Sequence, residues 1–182
     1  EAEKRQIEAI VRGAAQAKVA HLIFGSIQSQ SRLEPDADLL QIAHCKTKFL
    51  INQMARENGL PTTVLGVQHY TDNWDSPYMS IVDGQINGMM SADVKVRYTA
   101  CRDVGRMALV AAKQGPPKDL LRYLPVWTDF VSGEEIMRLM KLWHGKDFSY
   151  NCPPFFVISF FAPEVAAMRK SFEAFGRQEH PN

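Results

Sequence analysis

Between Lys18 and Val67 the apolar positions change period twice. Lys18-Val-Ala-His-Leu-Ile-Phe-Gly-Ser-Ile27 is a nearly continuous apolar run of strand length. A polar stretch follows, Gln28-Ser-Gln-Ser-Arg-Leu-Glu-Pro35. Leu40, Ala43, Thr47, Leu50, Ile51 and Met54 then recur at helical spacing. Asp36 and Asp38 are candidate caps for a helix that starts between Asp36 and Gln41. Gly59 stops it, with Pro61 two residues beyond. Pro61-Thr-Thr-Val-Leu-Gly-Val67 is a second apolar run. Strands that are apolar on both faces belong in parallel sheets, and two of them need a long crossover between them. The pattern predicts residues 18–27 and 61–67 as neighbouring parallel strands, with 39–58 as a right-handed helical crossover. Ligands of such sheets sit outside the carboxyl ends of the strands. Those ends are Gly25-Ser26 and Gln68 to Asn73.

The flanking segments read more plainly. Ala2 to Ala17 is helical, with Ile7, Ile10, Val11 and Ala14 on one stripe. Trp74 to Met90 is rich in Asp, Ser and Gly and predicts a long loop with one short strand or hairpin. Val94, Val96 and Tyr98 alternate with Lys95, Arg97 and Thr99, a strand pattern. Asp103 caps a helix over Val104 to Gln114 whose stripe is Val104, Met107, Ala108 and Ala111. Leu120 to Thr128 is a strand. Ser132-Gly-Glu-Glu135 is a capping box ahead of Ile136, Leu139, Met140 and Trp143, and His144-Gly145 closes that helix. Phe148 to Cys152 is a strand and Phe156 to Phe175 is mostly helical.

Composition narrows the classes. The 182 residues are 46% hydrophobic and 23% charged, enough for one domain with a sizeable core. With 21 basic and 20 acidic side chains the formal charge is +1, which gives no electrostatic case for nucleic acid or a membrane surface. Cys45, Cys101 and Cys152 form no CxxC pair and read as reduced thiols of an intracellular protein. The run Phe155 to Ala162 is too short to span a bilayer. An acidic, polar opening helix is no signal peptide. The opening residue is not a methionine, so residue 1 is not expected to be the start of translation. Neither a metal-ligand spacing nor a GxSxG elbow is present. The 11 glycines contain no GxGxxG.

Order and spacing of several short motifs carry a resemblance. Ala43-His44-x-x-x-Lys48, Gly59-Leu-Pro61-Thr, the following apolar strand and Tyr70-x-x-Asn73 resemble the NmrA-like proteins, atypical members of the short-chain dehydrogenase superfamily. Arg102-Asp-Val-Gly105 and the helix from Ser132 to Gly145-Lys146 are similar to further family elements. The resemblance covers most of residues 3 to 175. It implies a Rossmann-like parallel sheet, with NADP or NAD bound by full-length relatives. It also implies a mixed family of reductases and redox-sensing co-regulators. The family's glycine-rich βα unit precedes any segment of this chain. The chain therefore resembles an amino-terminally incomplete member, the second half of the Rossmann domain plus a small α+β substrate-side region. Residues 1–75 and 91–115 would form the Rossmann part, and 76–90 and 116–182 the smaller region.

Candidate chemistry centres on one helix face. His44 and Lys48 are four apart and share it. Lys48 can hold ribose hydroxyls and favour a nearby alkoxide, or be a solvated helix lysine. By the resemblance, His44 stands where ordinary relatives carry the Tyr of a Tyr-x-x-x-Lys pair. It can donate a proton, or form a hydrogen-bonded wall, the reading preferred here. Ser26, Gln68, Tyr70 and Asn73 are candidate cofactor contacts, against the simpler roles of ending a strand and closing a loop. Cys45 reads as packing and His21 as a satisfied core histidine.

These readings converge on an NAD(P)-binding, dinucleotide-sensing regulator acting through protein contacts. The alternative is an NAD(P)H-dependent reductase of a small carbonyl or quinone-type substrate using Lys48. The partner is a protein in the first reading and a small molecule in the second. Self-association is open to both, and direct nucleic-acid or membrane binding belongs to neither. The expected compartment is the cytoplasm, with the nucleus second. This chain alone is expected to hold the cofactor weakly or not at all.

Overall fold

A computed structural model describes residues 2–28, 33, 39–76 and 79–179, and within them all side chains but those of Leu39, His44, Gln178 and Glu179. The expected caps Asp36 and Asp38, and most of the loop over 28–35, lie outside the described residues. The chain forms two compact units, residues 1–67 with 102–126 and residues 68–101 with 127–182.

The first unit is built on the predicted parallel pair. Strand β1 (Leu22–Ile27) runs parallel to β2 (Thr62–Val67), in register from Leu22↔Thr62 to Ile27↔Val67. Helices α1 (Ala2–Gln16) and α2 (Ala43–Glu57) pack on one face. Ile7, Val11, Ile51, Met54 and Leu60 form the core there, with Leu22 and Phe24 beneath them. A third parallel strand, β8 (Leu121–Pro125), joins β2, so the sheet order is β1-β2-β8. All six residues of β2 are buried, as a central parallel strand requires. Arg122 stands in register with Thr63. It donates to the carbonyls of Ala111 and Gly115, where α3 (Cys101–Gln114) ends. Leu22 and Phe24 alternate with Ile23, the register partner of Thr63. The end of α3 therefore lies on the face opposite α1 and α2, and the sheet is doubly wound.

Four expectations shift here. β1 begins at Leu22 rather than Lys18, because residues 17–19 close α1. Val19 N bonds Ala14 O at 2.9 Å and Lys18 N bonds Ala15 O at 3.0 Å, with Lys18 left-handed at φ 53°. This is a Schellman cap. Ile10 is 54% exposed, off the buried stripe. α2 starts later than expected, at Ala43, after a 3-10 turn over Leu39–Gln41. Leu40 and Ala43 are exposed and line an open groove of about 500 Å³ beside α1. Ile51 and Met54 of the expected stripe do face inward, joined there by Cys45, Phe49 and Asn52.

The second unit carries two small sheets. The segment after Trp74 holds the expected hairpin and more: β4 (Asp75–Ser76), β5 (Met79–Val82) and β6 (Gln85–Asn87) pair antiparallel in sequence, and β10 (Ser149–Asn151) adds parallel to β6. Asp83 and Gly84, both at positive φ, make the two-residue hairpin turn that joins β5 to β6. The other sheet is β3 (His69–Tyr70), β7 (Val96–Thr99) and β9 (Asp129–Val131). Helix α4 (Gly133–His144) has the predicted capping box, Ser132 with Glu135, and a left-handed Gly145 at its end. Two residues of its predicted stripe are not buried: Leu139 and Trp143 face outward, because Ile136, Met137 and Met140 form the inner side. Tyr150 lies against Gly88 and Gly133, where a Cβ would meet its ring or hydroxyl at 1.9 and 2.6 Å, and it donates to Met90 O at 2.9 Å. Helices α5 (Phe155–Phe161) and α6 (Pro163–Glu179) complete the unit. Buried Arg169 of α6 binds Glu173 and Ser91 Oγ and the carbonyl of Pro153, all at 2.8 Å.

α1 and α2 end in the same motif with different residues. At the end of α2 the left-handed position is Gly59, with Leu60 N on Ala55 O at 2.9 Å. At the end of α1 it is Lys18, whose Cβ makes that conformation unfavourable by about 1 kcal/mol. Lys18→Gly should therefore raise unfolding free energy by about 0.5–1 kcal/mol, read as a higher urea midpoint at unchanged slope.

Candidate functional site

The carboxyl end of β1 collects polar groups that none of the described residues satisfies. Ser26 and Gln28 are both 4% exposed. Neither Ser26 Oγ nor Gln28 Oε1 has a hydrogen-bond partner among the described residues. The backbone there is fully used: Ser26 pairs in register with Gly66, and Gln28 N donates to Val67 O at 2.8 Å. The unmet demand is thus confined to the side chains. A buried polar atom left without a partner costs about 1–3 kcal/mol, so a ligand with hydroxyls is a natural complement.

α2 places Lys48 half-buried in the same unit, and Cys45 is fully buried as packing. The ring of His44 lies outside the described residues, so only its helical position is fixed, four residues before Lys48. His21 is the satisfied histidine the sequence suggests. Its Nε2 is 2.8 Å from Thr63 Oγ1. Arg122 Nε and Nη2 donate into the same hydroxyl at 3.2 and 2.9 Å, which leaves the Thr63 proton for His21. Burial, and then the Arg122 charge, hold the His21 imidazole below its ordinary pKa.

The second unit opens with the other candidates. Gln68 is buried, its Oε1 accepting from Arg97 N at 3.0 Å, while its Nε2 has no partner among the described residues. Tyr70 is half-buried, and burial raises its phenol above the ordinary range, with Cys101 adding to the rise. Asn73 is exposed in a 3-10 turn, Thr71–Trp74. Asp72 anchors that turn. Its Oδ2 accepts from Cys101 N at 3.0 Å and from Thr71 Oγ1 at 3.3 Å, and the Cys101 bond chiefly holds its carboxyl below the usual range. Asp103 is therefore not the cap of α3: the helix begins at Cys101, and a carboxylate 29 residues upstream meets its first N–H.

Sequence reasoning missed three groups here. Gln28 was readable, since it lies two residues beyond Ser26 and so on the same side of the extended chain. Asp72 and His69 had no sequence signal. His69 is paired in register with Tyr98 and packs edge-on against Phe172 at 4.9 Å, with neither ring nitrogen bonded among the described residues. Among the described residues no group of His, Cys, Asp and Glu is arranged for a metal, no helix is long and apolar enough to cross a membrane, and the three cysteines are free.

Complete burial pushes His69 down to about 4, below its ordinary value of about 6.5. Above pH 6.5 the ring is neutral in both states and stability is unaffected. Between 6.5 and 4 only the unfolded chain takes the proton, so stability falls with pH by up to about 1.4 kcal/mol per unit. Urea midpoints at pH 7, 6 and 5 should show that slope, and His69→Leu should flatten it.

The NmrA-like family matches the chain over residues 1–182. No curated protein matches it in sequence. Many solved structures are similar in fold, and three of them follow. A nucleoside-diphosphate-sugar epimerase from Staphylococcus aureus has a TM-score of 0.66 at 15% identity, covering 97% of this chain and 62% of its own. NmrA, a negative transcriptional regulator in complex with NAD, has 0.62 at 19%, covering 98% and 56%. The Citrobacter sp. triphenylmethane reductase complexed with NADP(H) has 0.65 at 16%, covering 93% and 60%. At such identities the likeness establishes the Rossmann-like fold. The chain spans about three fifths of the length of these structures.

Proposed function

The chain belongs to the NmrA-like family, and on that premise we propose that it is a dinucleotide-sensing regulator that acts through protein contacts. The observation that carries the reading is the unpartnered pair at the carboxyl end of β1, Ser26 Oγ and Gln28 Oε1, in a parallel βαβ unit. That is where ligands of such sheets bind. These groups suit the ribose and nicotinamide end of NADP or NAD, with Lys48 on the crossover helix as the cation. Gln68, Tyr70 and Asn73, on the segment after β2, are the further proposed contacts. The pyrophosphate end has no counterpart among the described residues. Every described glycine at positive φ closes a helix or turns a hairpin: Gly59, Gly84, Gly115 and Gly145. None opens a helix after a strand, as a phosphate cradle requires.

A sensor is favoured over an enzyme by the acids available. His44 stands where a reductase would carry its tyrosine. Tyr70, Tyr98 and Tyr150 are each raised by burial, the opposite of an activated proton donor. The reductase reading rests on Lys48, four residues from His44. In it the bound dinucleotide supplies the hydride and Lys48 steadies the negative charge on a small carbonyl or quinone-type substrate. The cytoplasm, with the nucleus second, is the compartment proposed for either reading.

Two measurements test this. In a protein that carries a glycine-rich βα unit upstream of these residues, Lys48→Ala should weaken NADP binding by about tenfold, the worth of one charge-assisted hydrogen bond. His44→Phe should change affinity little, since shape can replace a wall. Equal, unchanged affinities by calorimetry would return Lys48 to a surface role.

The 182-residue chain alone should bind NADPH weakly or not at all in a fluorescence titration, and light scattering should detect self-association. β1 has an uncharged, proline-free edge with no strand beside it among the described residues. Low-micromolar binding by a clean monomer would overturn the view that half the dinucleotide site lies outside these residues.

A further inference from the structure

Three side chains meet at the amino end of the sheet in the first unit. His21 precedes β1, Thr63 is the second residue of β2 and Arg122 the second of β8. Register sets Thr63 between Ile23 and Arg122. His21, two residues before Ile23, lies on the same face. That is the face on which α3 ends. Arg122 Nη2 donates to Ala111 O at 3.2 Å and to Gly115 O at 3.0 Å. Ala111 O is one of the carbonyls a helix end leaves without an internal partner, and a guanidinium there also meets the negative end of the helix dipole. Arg122 thus ties the end of α3 to the edge strand β8.

The hydroxyl of Thr63 decides how firmly that tie is held. Thr63 is fully buried, and its hydroxyl has two lone pairs and one proton. Arg122 Nε and Nη2 fill the lone pairs at 3.2 and 2.9 Å. The proton goes to His21 Nε2, 2.8 Å away. This arrangement requires a neutral His21 with its own proton on Nδ1. A protonated ring would set N–H against O–H and add a positive charge beside Arg122. Burial, and then the Arg122 charge, already oppose that protonation. β1 and β2 carry no ionisable side chain, and Tyr123 of β8 points to the opposite face. Lys18 after α1, Lys113 of α3, and Lys118 and Asp119 before β8 are all exposed.

We propose that His21, Thr63 and Arg122 form a latch, closed at neutral pH and opened by acid, that holds the end of α3 to the sheet. In the closed form His21 takes the Thr63 proton, so both lone pairs of the hydroxyl stay toward Arg122. When His21 is protonated the hydroxyl loses its acceptor and turns, and one of the Arg122 bonds is lost. The end of α3 and the strand β8 then loosen together. The closed form excludes the proton, and the open form, with a solvated imidazole of about 6.5, takes it. Opening therefore grows as pH falls below about 6.5. The latch needs no ligand and stands apart from the dinucleotide reading.

Hydrogen–deuterium exchange of the 182-residue chain reads the latch. After correction for intrinsic exchange, residues 109–126 should exchange about tenfold faster at pH 5 than at pH 7.5, the factor that one pKa unit of coupling carries. His21→Gln gives the Thr63 proton a neutral acceptor at every pH, so its exchange over 109–126 should not rise in acid. Comparing it with the unaltered chain at each pH cancels whatever His69 contributes. Thr63→Ser keeps the hydroxyl and should keep the acid response, and Thr63→Val should lose it. If Thr63→Val does not fold, the His21→Gln comparison decides by itself. Nitrogen-15 shifts of the ring should place the His21 proton on Nδ1 at pH 7.5. Three results would overturn the proposal: equal exchange over 109–126 at both pH values, an equal acid rise in His21→Gln or in folded Thr63→Val, or a neutral His21 ring protonated on Nε2.

Discussion

The parallel pairing of β1 with β2 is the constraint from which the rest of the first unit follows. Parallel neighbours cannot be joined by a tight turn, so the chain must climb back along one face before β2 begins. α2 is that return, and it must bury a face on the sheet. Its Ile51 and Met54 meet Ile7 and Val11 of α1 above Leu22 and Phe24 of β1. The same pairing sends both strands toward one end. The polar groups that end β1, Ser26 and Gln28, are thus gathered where the backbone has no further use for them.

The two edges of this sheet differ in physical character. β8 carries Arg122 and ends on Pro125, a charge and a missing donor, both of which discourage further pairing. Arg122 is also tied inward to Thr63 and to the last carbonyls of α3. β1 has neither device. Leu-Ile-Phe-Gly-Ser-Ile is the composition of an interior strand placed at an edge, and its middle residue, Gly25, is exposed with open space where a Cβ would stand. A strand of that composition is at its lowest free energy with a neighbour on each side.

What the sequence made legible was the strong, long-range pattern. Two apolar runs flanking a helical stripe gave β1, α2 and β2, and a capping box gave α4 with its start and stop. Burial was harder, because periodicity counts apolar residues and does not know the partner surface. Ile10, Leu40, Leu139 and Trp143 all fit a stripe and are all exposed. Asn52 broke the α2 stripe and is buried, its amide bonded to Leu33 O. Of the sheet of β4, β5 and β6 only a short strand or hairpin was legible, because strands of two to four residues show too few alternations to register. Asp72 could not have been found, since its bond to Cys101 N spans 29 residues. Of the candidate site, Ser26 was read from its place at a strand end; Gln28, two residues further along the extended chain, was within reach of the same logic, and only the structure shows its oxygen buried with no partner among the described residues.

Not every unpartnered polar group points to a ligand, and His69 supplies the contrast. Its ring is also buried without a hydrogen bond among the described residues, yet it is packed against Tyr98 and Phe172 at 5.7 and 4.9 Å between ring centres. Held neutral, an imidazole behaves as a small aromatic there, and the lost hydrogen bonds are offset in part by ring contacts. Ser26 Oγ and Gln28 Oε1 have no such alternative. A hydroxyl and an amide oxygen offer little dispersion in return for lost hydration, and they stand at a strand terminus instead of in an aromatic core. The same deficit has two meanings. In the second unit it makes stability depend on pH, and in the first it leaves a demand that a polar ligand can meet.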